Sequence, residues 1–338
     1  GQTLPVLALG SVVGGLARAL DSGPLQAWFV DTVHGVDADA DLKPGLARGM
    51  AIGAAALGAG ALAGGALVSL APLPTRGAAV VSLSVPFLVS AAISVVSTVA
   101  IARWVREPAR ERRLGFRAVI VRVPVTVRTG VRLAARPGAL RRMTLLSACL
   151  GVTLVGVELL SPVSFAQLVG GEDSAAGPYS VLVMLAFFGT SAGSSIAPLT
   201  AQLLRSPARA LGVATLLASI AALGIAVPGF AFAATAFVAL YVLLGIGEPL
   251  ASDITHRAAQ SNERATVLSV QSLTLQLSGV IAALVLGRLA ENVSFIAAFG
   301  VVAFVLVAGA LTCVGLRDPA RSDMAMPPGV TGSAARPT

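Results

Sequence analysis

Charge is scarce in this chain. Only 12% of its 338 residues are Asp, Glu, Lys or Arg, where a soluble domain carries about 25%. A surface so poor in charge excludes a protein that stays dissolved in water. Aromatic residues are also few, at 5%. Twelve of the 24 basic residues fall between Arg103 and Arg142, but too few rings accompany them to stack bases. The net charge of +8 therefore does not predict a nucleic-acid partner. There are two cysteines, Cys149 and Cys313, far apart and both inside apolar runs. They match no disulfide or metal framework, and we read them as small core residues. No metal and no cofactor is expected.

What the chain has in quantity is apolar sequence: 56% hydrophobic residues and a mean hydropathy of +0.86. A helix needs about 20 mostly apolar residues to cross a bilayer. Nine stretches qualify: 4–29, 46–70, 77–102, 143–168, 179–203, 210–227, 230–250, 265–287 and 293–315. Turn chemistry and charge mark the breaks, as at Gly170-Gly171-Glu172-Asp173, Arg205-Ser206-Pro207 and Val227-Pro228-Gly229. The runs are too long and too uniformly apolar for barrel strands, which need about 10 alternating residues. The expected fold class is an all-α polytopic membrane bundle of about nine helices.

Arginine sets the expected orientation. With the 103–142 loop in the cytoplasm, strict alternation puts 21 basic residues inside, two outside (Arg76 and Arg288) and one, Arg18, within the first span. The expected location is a cell membrane, crossed many times, with the C-terminus cytoplasmic. The divisions are 1–102 with three spans, 103–142 as an Arg-rich cytoplasmic loop, 143–316 as a six-helix half-bundle and 317–338 as a flexible cytoplasmic tail. Alternation also places Gly1 outside the cell, which with an odd span count predicts further spans ahead of it.

Ionisable groups inside spans are costly and point to function. Arg18 and Asp21 stand three apart on the first span and can neutralise each other. Glu158 lies within the fourth span with no basic residue beside it, followed by Pro162 one turn on. A carboxyl there can load a proton or attract a cationic solute. The alternative is a structural Glu hydrogen-bonded to Ser161, Ser164 or a neighbour. Glu248 lies near the inner end of the seventh span, and Tyr241 offers an aromatic face on the same helix. The third, sixth and ninth spans carry no interior charge, as expected of helices that face lipid. The second span is dense in small residues, with Gly60, Gly64 and Gly65 set for close helix packing.

These residues together resemble the major facilitator superfamily, and within it the bacterial drug-efflux-like branch. Arg18-Ala-Leu-Asp21-Ser-Gly23-Pro-Leu-Gln-Ala27-Trp28-Phe-Val-Asp31 resembles the end of that family's fourth helix. Gly60-Ala61-Leu62-Ala63-Gly64-Gly65 resembles the antiporter motif of its fifth helix, with Ala61 in place of the proline. Arg264-Ala-Thr-Val-Leu-Ser269 resembles the start of its eleventh. The resemblance implies helices four to twelve of a twelve-helix, two-half fold, with the first three absent. It also implies that one helix in three lines a central cavity. Asp31-Thr-Val-His34 and Asp253-Ile-Thr-His256 echo each other between the halves, as parallel repeats would.

The expected function is secondary transport, by alternating access, with proton-coupled export of small amphipathic molecules. The partners are the bilayer, the solute and protons, with the chain a monomer. Candidate proton- or substrate-binding residues are Glu158, Asp21, Arg18, Tyr241 and Glu248. A nutrient or sugar importer on the same fold is the alternative. A membrane enzyme is less favoured: His34 and Asp39 fit an H-x-x-x-x-D acyltransferase pattern, but no supporting constellation surrounds them. A truncated chain that does not transport is the remaining reading.

Overall fold

The computed structural model describes residues 43–70, 81–105, 138–259 and 264–316, with isolated positions in 10–37 and 128–136. The described residues form eight α-helices and one 3-10 turn, with no strand among them. They are α1 (Lys43–Leu70), α2 (Val85–Trp104), α3 (Ala139–Leu168), α4 (Glu172–Leu203), α5 (Pro207–Ile225), α6 (Phe230–Ala258), α7 (Arg264–Asn292) and α8 (Phe295–Cys313). The 3-10 turn Ser82–Ser84 leads into α2.

Seven of these, α2 to α8, are long and apolar enough to cross a membrane. In α1 the apolar part is the shorter stretch Ala55–Leu70. The seven agree with the spans expected from 77 onward, with ends shifted by several residues. The expected first span, 4–29, lies outside the described residues apart from a few isolated helical positions. Most of the 103–142 loop, apart from its two ends and Arg128, Arg132 and Arg136, and the tail after Leu316 lie outside them as well. The described residues are all-helical, and their seven candidate spans make this a polytopic protein of membrane type.

Its breaks follow local chemistry. Ser206 accepts the Arg209 N–H at 3.3 Å and caps α5, with Pro207 in its first turn. Ser294 accepts the Ala297 N–H at 3.1 Å and caps α8. Gly170 and Gly171, at φ of +87° and +143°, turn the chain between α3 and α4, a conformation open to glycine at little cost.

The connections from α3 to α8 are short, so each helix runs antiparallel to the one before it. One end of the bundle thus gathers Arg141, Arg142, Arg205, Arg209 and Arg257, while Arg288 lies near the other. Within these six helices the packing repeats. α3 packs along α7 as α6 packs along α4; α8 lies against α3 as α5 lies against α6; and α5 and α8 meet each other. Two three-helix units, α3–α5 and α6–α8, thus occupy equivalent places. Because three is odd, the second unit is inserted upside down relative to the first.

Glycines set the two longest contacts. A Cβ on Gly151 of α3 would stand 2.0 Å from the Leu275 carbonyl oxygen of α7. One on Gly245 of α6 would stand 2.2 Å from the Thr190 carbonyl oxygen of α4, and one on Gly193 2.1 Å from that of Val242. Small residues at these crossings let backbones touch, as membrane helices require when lipid supplies no hydrophobic drive between them.

The charge-free helices divide. In α2 none of the apolar window is buried, whereas α5 buries 61% of its own, the most of the seven. Freedom from charge therefore does not by itself set how deeply a helix packs. α5 turns a face of small residues, Ala210, Ala214, Ala218 and Ala222, into the core and leaves Val213, Leu216, Leu217 and Ile220 outside. Branched apolar residues outside and small ones inside is the pattern of a helix solvated by lipid.

Candidate functional site

Three helices bring one acid and a set of rings together. α6 carries Phe237 and Tyr241, four residues apart and so on one face. α3 supplies Phe165, and α4 supplies Tyr179 and Phe187. Phe237 is the hub: its ring centroid lies 5.0 Å from Tyr241, 5.7 Å from Phe165 and 6.0 Å from Tyr179. Phe165 also meets Phe230 edge-on at 5.7 Å, and Phe187 meets Tyr241 at 6.4 Å. These spacings suit tilted and edge-to-face ring pairs. Phe165 and Phe237 are each 1% exposed, so the cluster is rigid at its base. The two tyrosines, half-buried, form its outer part.

Glu158 stands beside this cluster. The Tyr179 and Tyr241 phenols lie near it. The residue itself is exposed on α3, as is Leu159 after it, while Val157 and Leu160 are buried. It lies 16 residues from Arg142, about 24 Å along the helix at 1.5 Å per residue. Tyr241 lies the same 16 residues from Arg257 on α6. The acid and the phenol are therefore at one depth, well away from the arginine end. No ion pair or hydrogen bond engages the Glu158 carboxyl among the described residues.

The backbone around Glu158 is also open. Pro162 has no N–H, so the Glu158 carbonyl loses its helical donor. Ser161 is fully buried and its hydroxyl has no hydrogen-bond partner among the described residues. The Glu158–Ser161 hydrogen bond considered from the sequence is not made. A contrasting break lies on α6, where Pro249 frees the Gly245 carbonyl. There the Ser194 hydroxyl of α4 donates to that carbonyl at 3.0 Å. The Thr190 hydroxyl donates to the Ala186 carbonyl at 3.1 Å and to the Tyr241 carbonyl at 3.3 Å. Neighbouring hydroxyls re-satisfying a proline-broken helix are a recurrent device in membrane proteins.

The other expected site residues fall in different places. Glu248 is exposed on α6, seven residues nearer the arginine end than Tyr241, and no contact ties it to Glu158. Arg18 and Asp21 lie outside the described residues, as do His34 and Asp39. Asp253 pairs with Arg257 at 2.8 Å on an exposed helix face. Of the small-residue motif, Gly65 is buried, and a Cβ on it would come within 2.4 Å of the Ser180 side chain of α4. Gly60 and Gly64 have open space instead. The motif therefore joins α1 to α4 through Gly65, helped by Gly58 against Met184 and Phe188. Cys149 and Cys313 are free thiols brought to one place, where Cys149 packs on Gly309 of α8, one turn from Cys313.

Tyr179, Phe237, Phe165 and Phe187 were not singled out from the sequence. The Phe237–Tyr241 spacing was visible in it, and Tyr179 is one of only two tyrosines. No group of three or more possible metal ligands forms among the described residues. Comparison with protein-family models and with curated proteins finds no match for this chain.

Proposed function

We propose that the chain is a secondary active transporter that exports small amphipathic molecules, cations among them, in exchange for protons. The observation that carries this reading is Glu158. An ionisable carboxyl stands within a span, without an ion pair or hydrogen bond among the described residues, beside two phenols and a ring cluster. An acid in such a place costs too much to keep without use. It can hold a proton or the cationic end of a solute, while the rings take the apolar part. Sugar sites want several amides, which the cluster does not offer, so export of apolar cations is favoured over sugar import.

The packing supports the same reading. Two three-helix units in inverted orientation match the nested repeats of the major facilitator fold that the sequence resembles. In that reading α3 to α8 form one half, and the α1–α4 contact through Gly65 joins it to the other. The site would open alternately to the two sides as the halves rock. The arginine-rich end of the bundle, with Arg142, Arg205, Arg209 and Arg257, would be cytoplasmic, and the C-terminus with it.

The test is transport by the purified chain in proteoliposomes. With a pH gradient imposed, a fluorescent lipophilic cation should move against its own gradient, and Glu158→Gln should abolish that movement at unchanged protein level. Unaltered transport in Glu158→Gln would remove this residue from the mechanism. Absence of gradient-driven movement in the parent chain would remove the function.

A further inference from the structure

A cavity of about 590 Å³ lies apart from Glu158, at the arginine-rich end of the bundle, between the start of α5 and the end of α8. Its rim is Arg205, Ser206 and Arg209, and its walls run deeper along Val213 and Leu216 of α5 and Val307 and Leu311 of α8. Val213, Leu216 and Leu311 are exposed on the outer surface of the bundle, so the cavity opens sideways toward lipid. Both guanidinium groups are exposed, and neither has an acidic partner among the described residues. On the α8 side the Val314 carbonyl, which would repel an anion, is already engaged by an N–H of Arg142.

The turn that presents Arg205 is informative. α4 ends with the Ser206 N–H donating to the Ala201 carbonyl at 3.1 Å and the Arg205 N–H donating to the Gln202 carbonyl at 3.1 Å. Such a terminus places the intervening residue in the left-handed region, where glycine is usual. Arg205 sits there at φ +53°, the one non-glycine residue with positive φ among the described residues. Glycine would fit that backbone with less strain. The chain carries a guanidinium there instead, at the mouth of an apolar groove.

We propose that this groove binds an anionic phospholipid of the surrounding leaflet. The phosphate would sit between Arg205 and Arg209 at the start of α5, and one acyl chain would lie along Val213, Leu216, Val307 and Leu311. Charge complementarity selects the headgroup, and the lateral opening selects a lipid over a soluble anion. A basic pocket between membrane helices at the arginine-rich side is the expected form of such a site. The proposal needs the chain to be in a bilayer but does not depend on what it transports.

The experiment is native mass spectrometry of the full chain released from detergent. It is titrated with phosphatidylglycerol or with phosphatidylcholine of the same acyl chains. The parent chain should retain phosphatidylglycerol preferentially. Arg205→Gly and Arg209→Gln should each weaken it about fivefold, and the double variant should show no preference. Arg288→Gln, at the other end of the bundle, should change nothing. Arg205→Gly should melt at or above the parent temperature, which separates loss of the site from loss of the fold. Equal retention of the two lipids by the parent overturns the proposal. So does a preference that survives in the double variant, or a loss of equal size in Arg288→Gln. Displacement of the lipid by equimolar glycerol phosphate would assign the arginines to a soluble phosphate ester and overturn it too.

Discussion

The two three-helix units pack alike and carry unlike chemistry. α3 lies on α7, and α6 lies on α4, each pair drawn together by glycines whose Cβ would strike a backbone carbonyl. Yet α3 bears Glu158, an unfilled hydroxyl and one ring, Phe165, while α6 bears Phe230, Phe237 and Tyr241, and its acid, Glu248, lies nearer the arginine end. The α4–α6 crossing is also stitched by two hydroxyl-to-carbonyl hydrogen bonds, one of them to the Gly245 carbonyl that Pro249 frees. Across the α3–α7 crossing no such hydrogen bond forms among the described residues, and the Pro162 gap beside Glu158 is left open. Equivalent scaffold positions thus carry different side chains, Glu158 on α3 and the Phe237–Tyr241 pair on α6. The acid lies where the helix is least self-satisfied.

The strongest way to break the comparison is to fill its crossings. Gly151→Ala and Gly245→Ala should each lower stability by about 3 kcal/mol, seen as a lower melting temperature in detergent. If one is tolerated and the other is not, the two crossings are not equivalent. Next in size is the ring cluster. Phe237→Ala removes the hub that Phe165, Tyr179 and Tyr241 share, and should weaken binding of a lipophilic cation about tenfold, read by equilibrium dialysis. A matching loss of fold would show as lost monodispersity, so the two effects separate. Smallest is Ser194→Ala. Hydrogen bonds between membrane helices average about 0.6 kcal/mol, and the melting temperature should fall slightly with substrate binding unchanged.

Much of the fold was legible because lipid imposes a simple code. Length and uniform hydropathy located every helix from α2 to α8. Ser206-Pro207 and Gly170-Gly171 announced their turns by residue type alone. The partnering of helices was not legible, since an all-apolar helix shows no favoured face in its periodicity. α5 illustrates this: free of charge, it was expected to face lipid, and it exposes Val213, Leu216 and Ile220, but that its alanines pack the opposite face deeply was not visible. Glu158 was legible because intramembrane acids are rare. Its surroundings were not, because Phe165, Tyr179 and Phe237 lie on three helices up to 72 positions apart. Gly60 and Gly64 stood in the right motif, but only Gly65 meets a neighbouring helix closely.

The central claim is that Glu158 of one unit and Tyr241 of the other belong to a single binding site. A double-mutant cycle of Glu158→Gln and Tyr241→Leu, read by binding of tetraphenylphosphonium to the purified chain, addresses it directly. The account predicts that each change weakens binding and that the two are coupled by about 0.5 kcal/mol or more, as for residues in one contact network. Losses that simply add, or binding indifferent to both changes, would mean that the two groups do not share a site.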